Sequence, residues 1–250
     1  MEIGYYGKTD IGNVRYRNED AFVLKEVWGG THLLAVAIDG VGGNGGGDIA
    51  AEIASGCMSE HFMESPNGAD SLDVLQAAVV YANNSIYALH CASVLNRMTC
   101  VLTAALINIE TGQIDVCHVG DTRMYMFKEG SFKKITSDHS PVGQQEESGE
   151  LTEHQAMSHP HRNRISRSVG HRPLQLYSDY IQTRTLFADN CTLLLCSDGL
   201  YDMIDSSQMV QILDSPLPVD ERVEKLEGAA LEAGGKDNVT VIVVDLKKLN

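Results

Sequence analysis

An antiparallel α+β fold is predicted for this 250-residue chain. Three observations predict it: short apolar runs that cluster, hairpin-like punctuation between them, and helical stretches that arrive in pairs instead of alternating with strands. Ala35–Ile38 is the first buried strand candidate and runs into Asp39–Gly40. Short Val/Ile/Leu-rich runs closed by turn residues read as buried strands. Residues 45–63 follow a glycine-rich entry and read as a helix, with Ile49, Ile53 and Cys57 four apart on one face. Residues 71–95 read as a second amphipathic helix, which Ser71 can cap and whose stripe is Leu75, Val79, Ala82, Ile86 and Leu89. Strands are expected at 100–109, 113–119 and 123–128, with Gly112 and Lys128–Gly130 as hairpin turns.

Residues 137–177 break the pattern. They are polar, hold five of the nine histidines (His139, His154, His159, His161 and His171), and contain one short helix opened by Thr152 with Gln155 three residues later. Strands resume at 182–187 and 192–196. Helices are expected at 206–213 and 219–233, the second with Val219, Val223, Leu226 and Ala230 on one face, and 239–246 is the last strand. No repeat, low-complexity tract or proline-rich linker interrupts the chain, so one domain is expected to fill residues 1–250.

Composition narrows the function. The formal charge of −15 argues against nucleic acid or an anionic membrane surface as the main partner. No apolar run approaches the roughly 18 residues of a membrane span, and the N-terminal MEIGYYGKTD has neither the basic stretch nor the apolar core of a secretory signal. A cytoplasmic protein is expected. The six cysteines form no Cys-x-x-Cys pair, and Cys100, Cys117, Cys191 and Cys196 lie inside apolar segments. They read as small buried hydrophobes in a reducing compartment.

Carboxylates recur where apolar runs end. Ala35–Ile38 meets Asp39–Gly40, Val116–Val119 meets Gly120–Asp121, Leu193–Cys196 meets Ser197–Asp198–Gly199, and Asp237–Asn238 comes just before Val239–Val244. A single Asp-Gly after a strand is usually only a turn. Four such ends, together with Asn18–Glu19–Asp20, would collect carboxylates at one edge of a sheet. They repel there unless protons or cations lie between them. An oxygen-only site of this kind suits Mg²⁺ or Mn²⁺, and Gly40 leaves room for its own carbonyl to bind metal. Arg15, four residues before Glu19, offers the fork that recognises phosphate. The glycines of 42–47 lack the Lys-Ser/Thr of a P-loop and read as tight backbone passage beside the metals. The histidines of 137–177 fit no standard zinc spacing and read as surface or substrate-facing.

Arg15…Glu19–Asp20, Asp39–Gly40–Val41–Gly42–Gly43, Gly120–Asp121–Thr122–Arg123, Asp138–His139–Ser140, Ser197–Asp198–Gly199–Leu200 and Asp237–Asn238–Val239–Thr240 follow one another along nearly the whole chain. Each match alone is weak. In this order they resemble the metal-dependent type 2C Ser/Thr protein phosphatases. His159–Pro160–His161–Arg162–Asn163–Arg164–Ile165 is similar to a segment of the bacterial members. The resemblance implies a four-layer α-β-β-α sandwich of two antiparallel sheets flanked by helix pairs, with a flap at residues 144–177. It implies that Asp39, Asp198 and Asp237 bind one Mn²⁺ or Mg²⁺. Asp39 and the Gly40 carbonyl bind the second, with Glu19 reaching it directly or through water. Asp121 and Asp198 would hold a weaker third ion. Asp20 and Asn238 would support the ligands from behind, and Arg15 would grip the substrate phosphate. The implied reaction is direct attack of an activated water on a phosphorylated serine or threonine of a protein, the product of a Ser/Thr kinase, by a monomeric enzyme. Val41 stands where many eukaryotic members have His, so the proton donor to the leaving oxygen is unassigned. Met98–Thr99–Cys100 departs from the family's Gly-Thr-Thr. An inactive phosphoprotein-binding relative, a phosphatase of small phosphate esters and a metal-stabilised structural domain are the rival readings.

Overall fold

The computed structural model describes residues 1–42, 46–65, 70–92, 98–175 and 178–248. In chain order its elements are β1 (Glu2–Asp10), β2 (Asp20–Val27), β3 (His32–Val41), α1 (Gly47–Glu64), α2 (Ser71–Ala92), β4 (Thr99–Asn108), β5 (Gln113–Val119), β6 (Arg123–Lys128) and β7 (Ser131–Lys134). There follow α3 (Pro141–Ser148), α4 (Glu153–Met157), β8 (Gln182–Phe187), β9 (Cys191–Cys196), α5 (Asp198–Tyr201), α6 (Ser206–Leu213), α7 (Val219–Glu232) and β10 (Val239–Lys247).

The strands form two five-stranded sheets, ordered β1-β10-β9-β6-β7 and β2-β3-β4-β5-β8, with every pairing antiparallel. Period-two alternation explains how the unbroken apolar runs serve two layers at once. On β3, Leu34, Val36 and Ile38 join the core beneath α1 and α2, while Leu33, Ala35 and Ala37 join the core between the sheets. On β10, Ile242, Val244 and Leu246 face that same middle core, and Val239, Val241 and Val243 pack under α5, α6 and α7. The result is the four-layer α-β-β-α sandwich.

The helix stripes need two corrections. On α1 the buried side is Ala50, Ala54, Met58 and Phe62, while Ile49 and Ile53 are only partly buried against it. Small residues let α1 approach the sheet closely, and this displaces the face read from the isoleucines. On α2, Leu75, Val79, Ala82 and Ile86 are buried, but Leu89 is 41% exposed near the helix end. Strands β1, β2 and β7 and helices α3 and α5 add to the expected set. The expected helix end at 93–95 and the glycines at 43–45 lie outside the described residues. Cys57, Cys100, Cys117, Cys191 and Cys196 are buried free thiols and Cys91 is exposed. The Met98–Cys100 departure is accommodated locally: Thr99 Oγ1 donates to the Val41 carbonyl at 3.1 Å, and Cys100 exchanges backbone bonds with Val169.

Candidate active site

Sheet polarity brings the acids together. In the antiparallel pair β2–β3, Asp20 faces Asp39 across the ladder, so the start of one strand and the end of the other share an edge. β9 ends at Cys196 just before Asp198, and its antiparallel partner β10 begins at Val239 just after Asp237–Asn238. The Gly120–Asp121 turn carries the chain from β5 in one sheet to β6 in the other. All of these carboxylates therefore lie at one end of the sandwich. A cleft of about 160 Å³ there is lined by Arg15, Glu19, Asp39, Gly40, Asp121 and Asp198, with Asp237, Asn238, Val41, Gly42, Asn163 and Ile165 completing it.

Two glycines permit this convergence. A Cβ on Gly40 would sit 2.2 Å from the Gly47 carbonyl and 2.5 Å from that of Glu19, so the strand end packs directly on the entry to α1. Gly40 N–H also donates to the Glu19 carbonyl at 2.9 Å. Gly120 has φ +112°, and a side chain there would collide with Val101, so only glycine lets the chain cross between sheets at this point.

The supporting shell is dense in hydrogen bonds. Asp20 Oδ2 accepts from Ser197 Oγ and Thr240 Oγ1, both at 2.7 Å. Asn238 Oδ1 accepts from Glu19 N–H at 2.8 Å, while Asn238 Nδ2 donates to the carbonyls of Ile11 and Arg17 at 2.8 and 2.9 Å. Asn238 thus fastens the Arg15–Glu19 segment to the start of β10. Arg15 Nη2 donates to Asp237 Oδ2 at 2.5 Å.

Electrostatically the cleft is unsatisfied. Burial first, then the charges of Asp20 and Asp198, pushes the Asp39 carboxyl well above the usual carboxylate range. Burial, Asp202 and Asp237 do the same to Asp198. Burial also raises Asp121 to about 7, reinforced by Asp138, and Asp20 to about 7 against the pull of its two hydroxyl donors. Glu19 is raised by burial and by Asp48. Five acids line the cleft with Arg15 as their only cation among its lining residues. Among the described residues no three His, Cys, Asp or Glu side chains have closed around a single point. Asp237 is turned toward Arg15, and Mg²⁺ is commonly held by one or two carboxylates plus waters. An all-oxygen donor set carrying surplus negative charge fits Mn²⁺ or Mg²⁺.

Some participants were not visible as such in the sequence. Asp202 lies four residues after Asp198, one helical turn on, the spacing that puts both on one face. Its carboxylate accepts from Arg162 Nε at 2.6 Å, and burial raises it. Of the histidines expected at the surface, His139 is a correction: it is 8% exposed. Its N–H donates to the Gly120 carbonyl at 2.7 Å, its Nδ1 accepts from Gly120 N–H at 3.0 Å, and its carbonyl accepts from Ser166 N–H at 2.7 Å. His139 therefore clasps the Asp121 turn and ties it to the 144–177 segment. The reason is the short Asp-His-Ser run beneath the turn, which also places Ser140 as the cap of α3. His154, His159, His161 and His171 lie at or near the surface.

An acid-lined cleft at the ends of two antiparallel sheets, with one arginine at its mouth, defines a class of metal-dependent phosphate-handling site, and the comparisons with known proteins agree. A sequence model of protein phosphatase 2C matches residues 13–230. The chain is 31% identical over 242 residues to the serine/threonine phosphatase stp of Listeria monocytogenes, covering 95% of this chain and 94% of that protein. It is 34% identical over 248 residues to PstP of Mycobacterium tuberculosis, spanning 98% of this chain and 45% of that longer protein. The M. tuberculosis PstP/Ppp crystal structure superposes with TM-score 0.85 at 31% identity over 98% of this chain and 99% of that one. The PstP catalytic domain in complex with two manganese ions gives 0.83 at 29%, over 98% and 99% of the two chains. This chain belongs to the protein phosphatase 2C family.

Proposed function

We propose that this protein removes phosphate from phosphoserine and phosphothreonine in proteins, with Mn²⁺ or Mg²⁺ in its acid-lined cleft. The observation that carries the reading is the cleft itself: five carboxylates facing one arginine, with Asp39, Asp198 and Asp121 pushed above the usual carboxylate range by burial and neighbouring acids. The related PstP catalytic domain holds two manganese ions, and the donor set here supports the same arrangement. Asp39, Asp198 and Asp237 would hold one ion, Asp39, the Gly40 carbonyl and Glu19 the other, and Asp121 with Asp198 a weaker third. When bound there, such ions would activate a water and stabilise charge in the displacement at phosphorus.

The chain's own residues do the rest. Arg15 offers its guanidinium to two phosphate oxygens. Its present bond to Asp237 is solvent-exposed, with 47% of the arginine side chain accessible, and an exposed pair is worth at most about 1 kcal/mol. Exchange of Asp237 for substrate is therefore cheap. Asp20 and Asn238 keep Ser197, Thr240 and Glu19 in register behind the ligands. The flap would be residues 144–177, of which 176–177 lie outside the described residues; Asn163 and Ile165 close one wall of the cleft. The substrate is the phosphoprotein product of a Ser/Thr kinase, met by a monomer in the cytoplasm; among the described residues no helix is long and apolar enough to cross a membrane.

Hydrolysis of a phosphothreonine peptide across a Mn²⁺ titration, with Asp198→Ala alongside, tests the reading. Metal-dependent phosphate release that the variant loses is expected. Retention of wild-type activity by Asp198→Ala at limiting Mn²⁺ refutes the site assignment. Metal binding without release from any phosphorylated substrate points instead to an inactive phosphoprotein-binding relative.

A further inference from the structure

The segment Glu153–Arg172 carries four arginines against a single acidic residue, in a chain with 34 acids and 19 Lys or Arg. Three of these arginines are committed. Arg162 binds Asp202 at 2.6 Å. Arg167 Nη1 donates to the carbonyls of Asp179 and Tyr180 at 2.9 and 3.1 Å, and the Arg172 guanidinium lies 4.4 Å from the centre of the Tyr180 ring. Arg164 differs. Its backbone N–H is fixed to the His161 carbonyl at 3.1 Å, but its exposed guanidinium has no ion-pair or hydrogen-bond partner among the described residues.

Its position is set by its neighbours. Asn163 and Ile165 on either side both line the carboxylate cleft. The turn is pinned on one flank by the Arg162–Asp202 pair and on the other by Ser166, whose N–H and Oγ reach the His139 carbonyl at 2.7 and 2.8 Å. Arg164 thus stands on a braced turn, exposed, between two residues of the cleft wall. An approaching acidic peptide would be repelled by the general field of the molecule and attracted locally by this guanidinium.

We propose that Arg164 selects substrates with an aspartate or glutamate close to the phosphorylated residue, the guanidinium fork taking that carboxylate while Arg15 takes the phosphate. The inference rests on the phosphatase reading above and adds a substrate class to it. Arg164 touches no reacting atom and is a specificity residue, so its contribution must vanish for substrates that have no flanking side chain.

The test compares wild type, Arg164→Ala and Arg164→Glu on two phosphothreonine peptides that differ only in Glu or Ala at the flanking positions, with p-nitrophenyl phosphate as a substrate lacking flanks. The wild type should prefer the acidic peptide by about threefold to fivefold in kcat/KM, the range of one exposed ion pair, and lose the preference in added salt. Arg164→Ala should bring the ratio to about one and Arg164→Glu should invert it. Turnover of p-nitrophenyl phosphate should be the same in all three, which also shows that the variants fold. An acidic preference that survives Arg164→Ala, or a wild type that treats both peptides alike, overturns the inference while leaving the phosphatase reading intact. Hydrolysis of the small ester without hydrolysis of either peptide overturns both.

Discussion

Two acidic groups sit within one end of this molecule and behave oppositely. Asp138 is buried, yet Arg123 grips it through Nε and Nη2 at 3.0 and 2.7 Å, with Lys134 at 3.4 Å. Burial pushes this carboxyl up, but the charges of Arg123 and Lys134 more than offset that and hold it below the usual carboxylate range. The same arginine binds Glu146 of α3 at 2.6 Å and lies over the Tyr201 ring at 3.8 Å. Among the described residues Asp39, Asp198 and Asp121 have no such partner, and burial with repulsion from neighbouring acids drives them the other way. One group holds structure together and the other stores unfavourable charge that only a proton or a metal relieves. The comparison separates a carboxylate that stabilises the fold from one kept for chemistry.

The largest effects should fall in the second group and appear as activity. Asp39→Asn or Asp198→Ala should lower kcat by about 10²- to 10³-fold or more, the scale for losing one preorganised electrostatic contributor, while circular dichroism and Tm in EDTA show an intact fold. If either variant unfolds instead, the two groups are not distinct in kind.

Arg123→Met probes the first group. Breaking a buried pair leaves Asp138 and Glu146 sharing Lys134 alone and should cost about 3 to 5 kcal/mol in urea denaturation. Any residual activity should keep its wild-type Mn²⁺ dependence. A variant of normal stability with altered metal dependence would move Arg123 into the active site.

Sequence reading reached Asp39, Asp121, Asp198 and Asp237 because each stands beside glycine or asparagine at one end of an unbroken apolar run, a signal written in neighbouring residues. It met Arg123 and Asp138 only as members of two separate motifs, since nothing local says that they pair until β6 and the loop after β7 are brought together. His139 was misplaced for the same reason. Its role depends on Gly120 and Ser166, which are distant in sequence, and a histidine in a polar stretch gives no local sign of burial. Strands β1 and β2 escaped because their partial burial leaves them without a continuous apolar run. Asp202 was within reach, one helical turn beyond Asp198. Asn163 and Ile165 were noted for their resemblance alone, and only the fold shows them in the cleft.

Arg15→Ala should have a smaller effect than loss of an aspartate. It removes binding present before the transition state, so KM for phosphopeptide should rise about tenfold, the worth of a hydrogen bond to a charged group, with kcat changing less. A fall in kcat at unchanged KM would assign Arg15 to the transition state alone.

The smallest effect is the sharpest test of the comparison, because it separates the groups by sign. Burial pushes Asp20 and Asp121 up to about 7 from an ordinary 3.8, and Asp39 and Asp198 are displaced in the same direction. For an acid raised in the folded state, the native protein binds more protons, so this contribution to stability is lost as pH rises through the folded value. Asp138 has the opposite sign and acts only at acid pH. Buried His118 and His139, lowered by burial to about 3 and 4 from 6.5, also oppose the cleft acids, but only below about 6.5. Between about pH 8 and 6.5 the cleft acids therefore act without opposition from either. In EDTA, Tm should rise as pH falls across this window. Asp39→Asn should flatten that slope and raise stability at pH 8 by about 1 kcal/mol, the usual scale for relieving strain at a functional site. With saturating Mn²⁺ the slope should reverse, since metal and protons compete for the same oxygens. An EDTA slope unchanged by Asp39→Asn would mean that the cleft carboxylates are as well satisfied as Asp138, and the distinction between the two groups would fail.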